Sequence, residues 1–152
     1  MLKNRKGGLK NLSELTLFKN EIFSNYISIS KNAMDIKVPI SIITDIEIVD
    51  KKIISTPIAR SFSGDYLSGY QLVIDYKINQ SLKYLGNNEN NNIFIAILPS
   101  LRKCSLVTLP SNSYENYENL NFNIKSFIDA TNIKYINNRT ILEYISLVFS
   151  IN

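Results

Sequence analysis

The chain of 152 residues has no histidine, no tryptophan and one cysteine, and only five glycines and four prolines. Without histidine there can be no Ser-His-Asp or Cys-His nucleophile and no imidazole metal ligand. A single thiol excludes thiolate zinc and iron–sulfur sites and any intrachain disulfide. Cys104, inside the strand-like segment KCSLVTL, is therefore either a small apolar residue or a candidate intermolecular cross-link. No glycine pair sits where a phosphate cradle needs it, since Gly7-Gly8 lies in an irregular leader and Gly64 and Gly69 are far apart. The oxygen-rich stretch GNNENNN (86–92) carries one carboxylate, Glu89, too few for a calcium loop, so it reads as a polar turn. No cofactor or metal is expected.

Long apolar runs are missing too. Nothing approaches the ~18 residues of a membrane-spanning helix. The charged N-terminus is not followed by the roughly 7–15 apolar residues of a secretory signal. The expectation is a chain made in a cytosol without a signal peptide or transmembrane segment. The formal net charge of +4 is largely accounted for by Lys3, Arg5, Lys6 and Lys10, leaving a nearly neutral body. A short cationic tail gives only non-specific phosphate attraction, so no nucleic-acid role is expected.

What is present is a strand pattern. In YQLVIDYKINQSLKYL (70–85) the even positions are Tyr70, Leu72, Ile74, Tyr76, Ile78, Gln80, Leu82 and Tyr84, and the odd positions are mostly polar. This period of two, far longer than an ordinary strand, predicts a ribbon with one buried face. Asn79-Gln80-Ser81 places three polar residues in a row and predicts a bend or bulge there, with Gln80 the polar intruder on the inner face. The rest of the chain from Thr44 reads as strands. DIEIV and KIIST are separated by a turn or bulge at Asp50-Lys51-Lys52, and Pro57 closes that segment. NIFIAILPS and KCSLVTLP follow, then two or three strands with a turn at Asn137-Asn138. IFIAIL is uncharged and strongly β-forming, a hazard when exposed, with Pro99, Arg102 and Lys103 as gatekeepers. Residues 1–11 read as a flexible basic leader and 12–152 as one domain. NYISISK suggests a short strand, VPISIITDI is open between helical turn and strand, and LSELTLF suggests a short N-terminal helix capped by Ser13.

Shifted by 87 residues, DIEIVDKKII (45–54) lies over NIKYINNRTI (132–141), with Lys52 on Arg139 and Ile54 on Ile141. Two equivalent strand-kink-strand elements in two halves of one architecture are expected from it. The fold class is mostly β, a two-layer antiparallel β-sandwich-like domain with at most one short helix.

Candidate chemistry is sparse. Carboxylate pairs of the kind glycosidases use would have to come from Asp45, Glu47 and Asp50, or from Glu115 and Glu118, and a solvated edge explains them better. Nine tyrosines and seven phenylalanines remain. Those on the ribbon read as core. Tyr66, Tyr114 and Tyr117, in polar surroundings, are the candidate interaction surface for a ligand- or glycan-binding module, the alternative to a role in assembly.

ITDIEIVDKKIISTPIARSFSGDYLSGYQLVIDYKINQSLKYL (43–85) resembles the core of the SPOCS domain of clostridial spore coat and exosporium proteins. The matching features are Thr56-Pro57, the Gly-x-x-Leu-x-Gly type turn over Gly64 to Gly69, and Leu72, Ile78, Gln80, Leu82 and Tyr84 on the ribbon. ILPSLRKCSLVTLP and IKYINNRTILEYISLVFSI extend the similarity over residues 26–151. The chain departs from the family pattern at Val38-Pro39-Ile40 and at Ser100. The resemblance implies a non-enzymatic structural component of the spore envelope that acts through protein contacts, with other envelope proteins or itself. It further implies synthesis in the mother-cell cytoplasm and deposition on the spore surface layers.

Overall fold

The computed structural model describes residues 16–60, 62, 64, 66–110, 117 and 120–152. The long alternating ribbon is its axis. Strand β3 (Tyr66–Gly86) alternates buried and half-buried positions without a break from Leu72 to Gly86. It is the middle of a sheet, pairing on one side with β2 (Ile36–Arg60) and on the other with β4 (Ile93–Ile97) and β5 (Leu101–Thr108). A second antiparallel sheet has the order β1 (Leu17–Ser28), β7 (Thr140–Ile151), β6 (Ile124–Asn137). The two sheets pack face to face. Ser105 of β5 bonds Glu21 of β1, and β2 runs alongside β6. The expected two-layer antiparallel β architecture is the one observed.

Sequence details refine the expectations. The segment tested as a capped helix is strand from Leu17 onward, and Ser13 lies outside the described residues, as do residues 1–11. VPISIITDI is strand, with register shifts around Pro39. The kink expected at Asp50 is a bulge between Ile48 and Asp50, and Pro57 does not end β2, which continues to Arg60 through a further irregularity between Ser55 and Ile58. The bend expected at Asn79-Gln80-Ser81 is absent from the β2–β3 register, where Asp45, Thr44 and Ile43 face those residues in unbroken succession. The interruption sits in the facing edge strand instead. Leu98-Pro99-Ser100 separates β4 from β5, because Pro99 cannot donate to a ladder. Even so, Leu98 N–H reaches Gln80 O at 3.0 Å, and the Ser100 hydroxyl pairs with Asn79 Oδ1 at 2.6 Å.

The internal similarity does not mark equivalent elements. DIEIVDKKII is a bulged stretch inside β2, whereas NIKYINNRTI is the β6–β7 hairpin, turning at Asn138-Arg139.

Two apolar clusters fill the space between the sheets. The wide end contains Leu72, Ile74, Tyr76, Ile78, Val107, Leu109, Tyr117, Phe122, Ile145, Leu147, Phe149 and Ile151. The narrow end holds Ile27, Ile29, Ile36, Leu82, Tyr84, Leu98 and Ile141. At the wide end Tyr76 meets Phe149 edge to face at 4.9 Å, a geometry that adds about 0.5–1.5 kcal/mol beyond burial. At the narrow end Gly86 is required by close approach, since a Cβ there would stand 2.4 Å from the Phe94 ring.

Candidate functional site

The middle strand of each sheet turns one polar side chain inward at the same level. Gln80 of β3 and Glu143 of β7 lie between the two apolar clusters, Glu143 with no exposed surface at all. The Gln80 amide donates to Glu143 Oε1 at 2.7 Å and to Thr44 Oγ1 at 3.1 Å. Glu143 Oε2 has no partner among the described residues. Burial pushes the Glu143 carboxyl above its ordinary range, and the Gln80 hydrogen bond opposes this only partly. A protonated carboxyl is the form such a site favours, because an ionised one would lack a counter-charge. Gln80 also borders a cleft of about 150 Å³ between β1 and the β4–β5 break, with Tyr26, Ser28 and Pro99. The sequence shows Gln80 as an intruder on the inner face. Glu143 carries the same signal, the one polar residue in the series Ile141, Glu143, Ile145, Leu147, Phe149, Ile151, and the sequence reading missed it.

The three tyrosines expected to share a surface do not do so. Tyr66 is half exposed at the start of β3. Tyr114 lies outside the described residues. Tyr117 is a correction: it is fully buried, stacks obliquely on Tyr70 with ring centroids 5.2 Å apart, and its hydroxyl donates to Pro110 O. It plugs the wide end of the sandwich, so it cannot offer a ring to a ligand. Cys104 is an exposed free thiol on β5, flanked by Lys103, whose ammonium sits 4.2 Å from the centre of the Phe23 ring. Asp45, Glu47 and Asp50 are exposed, and Glu115 and Glu118 lie outside the described residues. On the neighbouring outer surface Asp75 takes a bidentate bond from Arg102, which holds its carboxyl below the usual range. Burial, with Glu21 and Cys104 adding to it, pushes the Tyr76 phenol up to about 12. Among the described residues no cluster of three or more His, Cys, Asp or Glu is placed to hold a metal ion, and no helix is long and apolar enough to cross a membrane.

Exposed apolar side chains also stand on the outer face of the β1-β7-β6 sheet. Even positions of β1 and β7 face outward, and the register sets Phe18 opposite Ser150, Ile22 opposite Ser146 and Tyr26 opposite Leu142, with Tyr144 and Val148 diagonal to them and Phe127 of β6 opposite Val148. Phe18, Ile22 and Tyr26 are 70%, 75% and 68% exposed. The outer face of this sheet therefore mixes large apolar side chains with Asn20, Ser24, Ser146, Lys125 and Lys134, and carries more exposed apolar surface than the polar face an antiparallel sheet ordinarily turns to water. Contiguous exposed apolar surface of this kind marks interaction sites. No protein-family model, curated protein or solved structure matches the chain.

Proposed function

We propose that the protein is a structural, non-enzymatic building block of a bacterial spore envelope, coat or exosporium, working through protein–protein contacts. The observation that carries the assembly part is the row of large apolar side chains on the outer face of the β1-β7-β6 sheet, with Phe18, Ile22 and Tyr26 standing in solvent. The spore-envelope setting rests on the resemblance to SPOCS domains over residues 26–151, in which Gln80 is one of the matching ribbon positions. A deposited layer needs surfaces that stay soluble on a single chain and become buried on contact, and a sheet whose outer face mixes exposed aromatic and aliphatic side chains with polar ones meets that need. Of the three tyrosines the glycan alternative relied on, Tyr117 is buried and Tyr66 is exposed, while Tyr114 lies outside the described residues.

The test is co-sedimentation of the full chain with isolated coat and exosporium fragments from clostridial spores, together with sedimentation velocity over a concentration series. The wild-type chain should bind the fragments or grow in mass with concentration, and Ile22→Lys should weaken fragment binding while leaving the melting temperature unchanged. A chain that stays monomeric and leaves every fragment unbound ends this reading.

A further inference from the structure

The register of β4 fixes which of its backbone groups remain unbonded. Gly86 N–H donates to Asn92 O at 2.9 Å and Leu98 N–H to Gln80 O at 3.0 Å. Phe94 faces Tyr84 and Ala96 faces Leu82 between those two bonds. The alternation of an antiparallel ladder therefore turns the even residues toward β3, and the N–H and C=O groups of Ile93, Ile95 and Ile97 away from it. No described strand pairs on that side. The same three side chains are 58%, 64% and 88% exposed.

The rest of this edge is guarded and β4 is not. Along β5 the outward-facing residues include Arg102, held to Asp75 at 2.5 Å, with Lys103 beside it. Cations on an edge strand are a common device against unwanted pairing. Residues 91–98 (NNIFIAIL) contain no charge, and Pro99 falls just outside them.

We propose that β4 pairs antiparallel with β4 of a second copy of this chain across a two-fold axis at Ile95, joining two sheets edge to edge. The inference rests on the assembly reading and names one partner and one site for it. A second copy fits for two reasons. Ile93 falls opposite Ile97 and Ile95 opposite itself, so each of the three free N–H and C=O groups gains a partner without a slip in register. An uncharged segment also meets its own copy without like-charge repulsion, although the chain as a whole is +4. Facing isoleucines add β-branched cross-strand pairs on the exposed side. An isologous contact of this kind closes at two copies. It is also far smaller than the roughly 1,200 Å² of a standard stable interface, so the dimer is weak and concentration-dependent. Larger assemblies would need a separate surface, such as the outer face of the other sheet.

The experiment is sedimentation equilibrium of the full chain, combined with hydrogen exchange at low and high concentration, for the wild type, Ile95→Lys and Ile22→Lys. The expected result is a reversible dimer in which the amides of Ile93, Ile95 and Ile97 gain protection as concentration rises. Ile95→Lys should weaken dimerisation by tenfold or more with an unchanged near-ultraviolet spectrum, and Ile22→Lys should leave it intact. A wild type without a dimer, or a dimer in which those three amides exchange freely, overturns the proposal, and the exchange result on the wild type stands even where Ile95→Lys folds poorly. The two readings fail separately: envelope binding that survives Ile95→Lys alongside unprotected β4 amides removes only the edge pairing. A β4 dimer that binds no envelope fragment removes only the envelope role.

Discussion

The two ends of the sandwich are closed by core side chains and polar bonds in different proportions. At the wide end the chain crosses from β5 to β6, and side chains plug the opening: Leu109, Tyr117 and Phe122 enter the same cluster as Tyr76 and Phe149. Bonds among the described residues accompany the plug: Lys51 Nζ donates to Phe122 O, the Ser68 hydroxyl to Leu109 O, Leu109 N–H to Tyr70 O and the Tyr117 hydroxyl to Pro110 O, and Asn123 and Asn152 exchange backbone bonds. At the narrow end the chain crosses from β1 to β2 through residues 29–35, with a smaller set of core side chains beneath. There the crossing is fastened by polar groups. Arg139 donates to Ala33 O at 2.9 Å, to Ser30 O and to Asp35 Oδ1, Tyr84 donates to Met34 O at 2.8 Å, and Ile36 N–H reaches Asn138 O at 2.7 Å. Where apolar volume is short, fixed donors aimed at loop carbonyls supply the closure, each worth about 1 kcal/mol or somewhat more when charged.

The contrast predicts unequal responses to core truncation. Phe149→Ala removes the ring against Tyr76 in the larger cluster and should cost about 3–5 kcal/mol in guanidinium unfolding. Leu82→Ala, equally buried at the narrow end, should cost less, about 2–3 kcal/mol, because the polar clamp does not depend on it. An equal or larger loss for Leu82→Ala would break the comparison.

Arg139→Ala sharpens it from the polar side. Its side chain keeps 28% exposure, so the expected loss is discounted to about 1–2 kcal/mol. Arg139→Lys should recover little, since one ammonium cannot serve two carbonyls and a carboxylate in the geometry of a guanidinium. The internal similarity provides the control. Lys52 occupies the position matching Arg139, yet it is exposed on a bulged strand, so Lys52→Ala should change stability by no more than about 0.5 kcal/mol.

That pair of positions also shows how far the sequence could be read. Alternation is local, so the strands and the inner face of β3 were legible residue by residue. What a kink becomes is not local. Asp50 Oδ1 accepts Lys51 N–H at 2.8 Å and Asn137 Oδ1 accepts Arg139 N–H at 2.9 Å, two similar side-chain turns. The first stays a bulge because β3 continues past it as a partner. The second becomes a hairpin because Ile29 and Ile36 of another segment bond the carbonyls of Arg139 and Asn138. Tyr117 was misread for the same reason: polar sequence neighbours gave no sign of the opening it fills. The exposed outer face of β1 was hidden because one-sided patterning cannot say whether a second sheet covers the other side. The open β4 edge was half visible, as an uncharged run whose free side only the strand order reveals.

A further prediction, read from pH dependence, concerns the level where the two ends meet. Glu143 has its carboxyl raised in the folded protein by burial. In the unfolded chain it titrates near the ordinary value of about 4.3. Between those two values the native state holds a proton that the unfolded chain has released, so stability falls as pH rises. The contribution is complete below the unfolded value and lost as pH passes the folded one. Asp75 acts in the opposite direction, since Arg102 lowers its folded value and its contribution disappears as pH falls. Glu143→Gln keeps the shape and removes only the first of these. The difference in stability between wild type and Glu143→Gln, followed by urea unfolding from pH 4 upward, should shift steadily in favour of the glutamine variant until the folded carboxyl is ionised, because the Asp75 contribution cancels. A difference that stays flat with pH would mean that Glu143 is ionised in the fold, with the Gln80 hydrogen bond compensating fully for its burial. The two apolar ends would then be separated by a stable charge rather than by a neutral hydrogen-bonded pair.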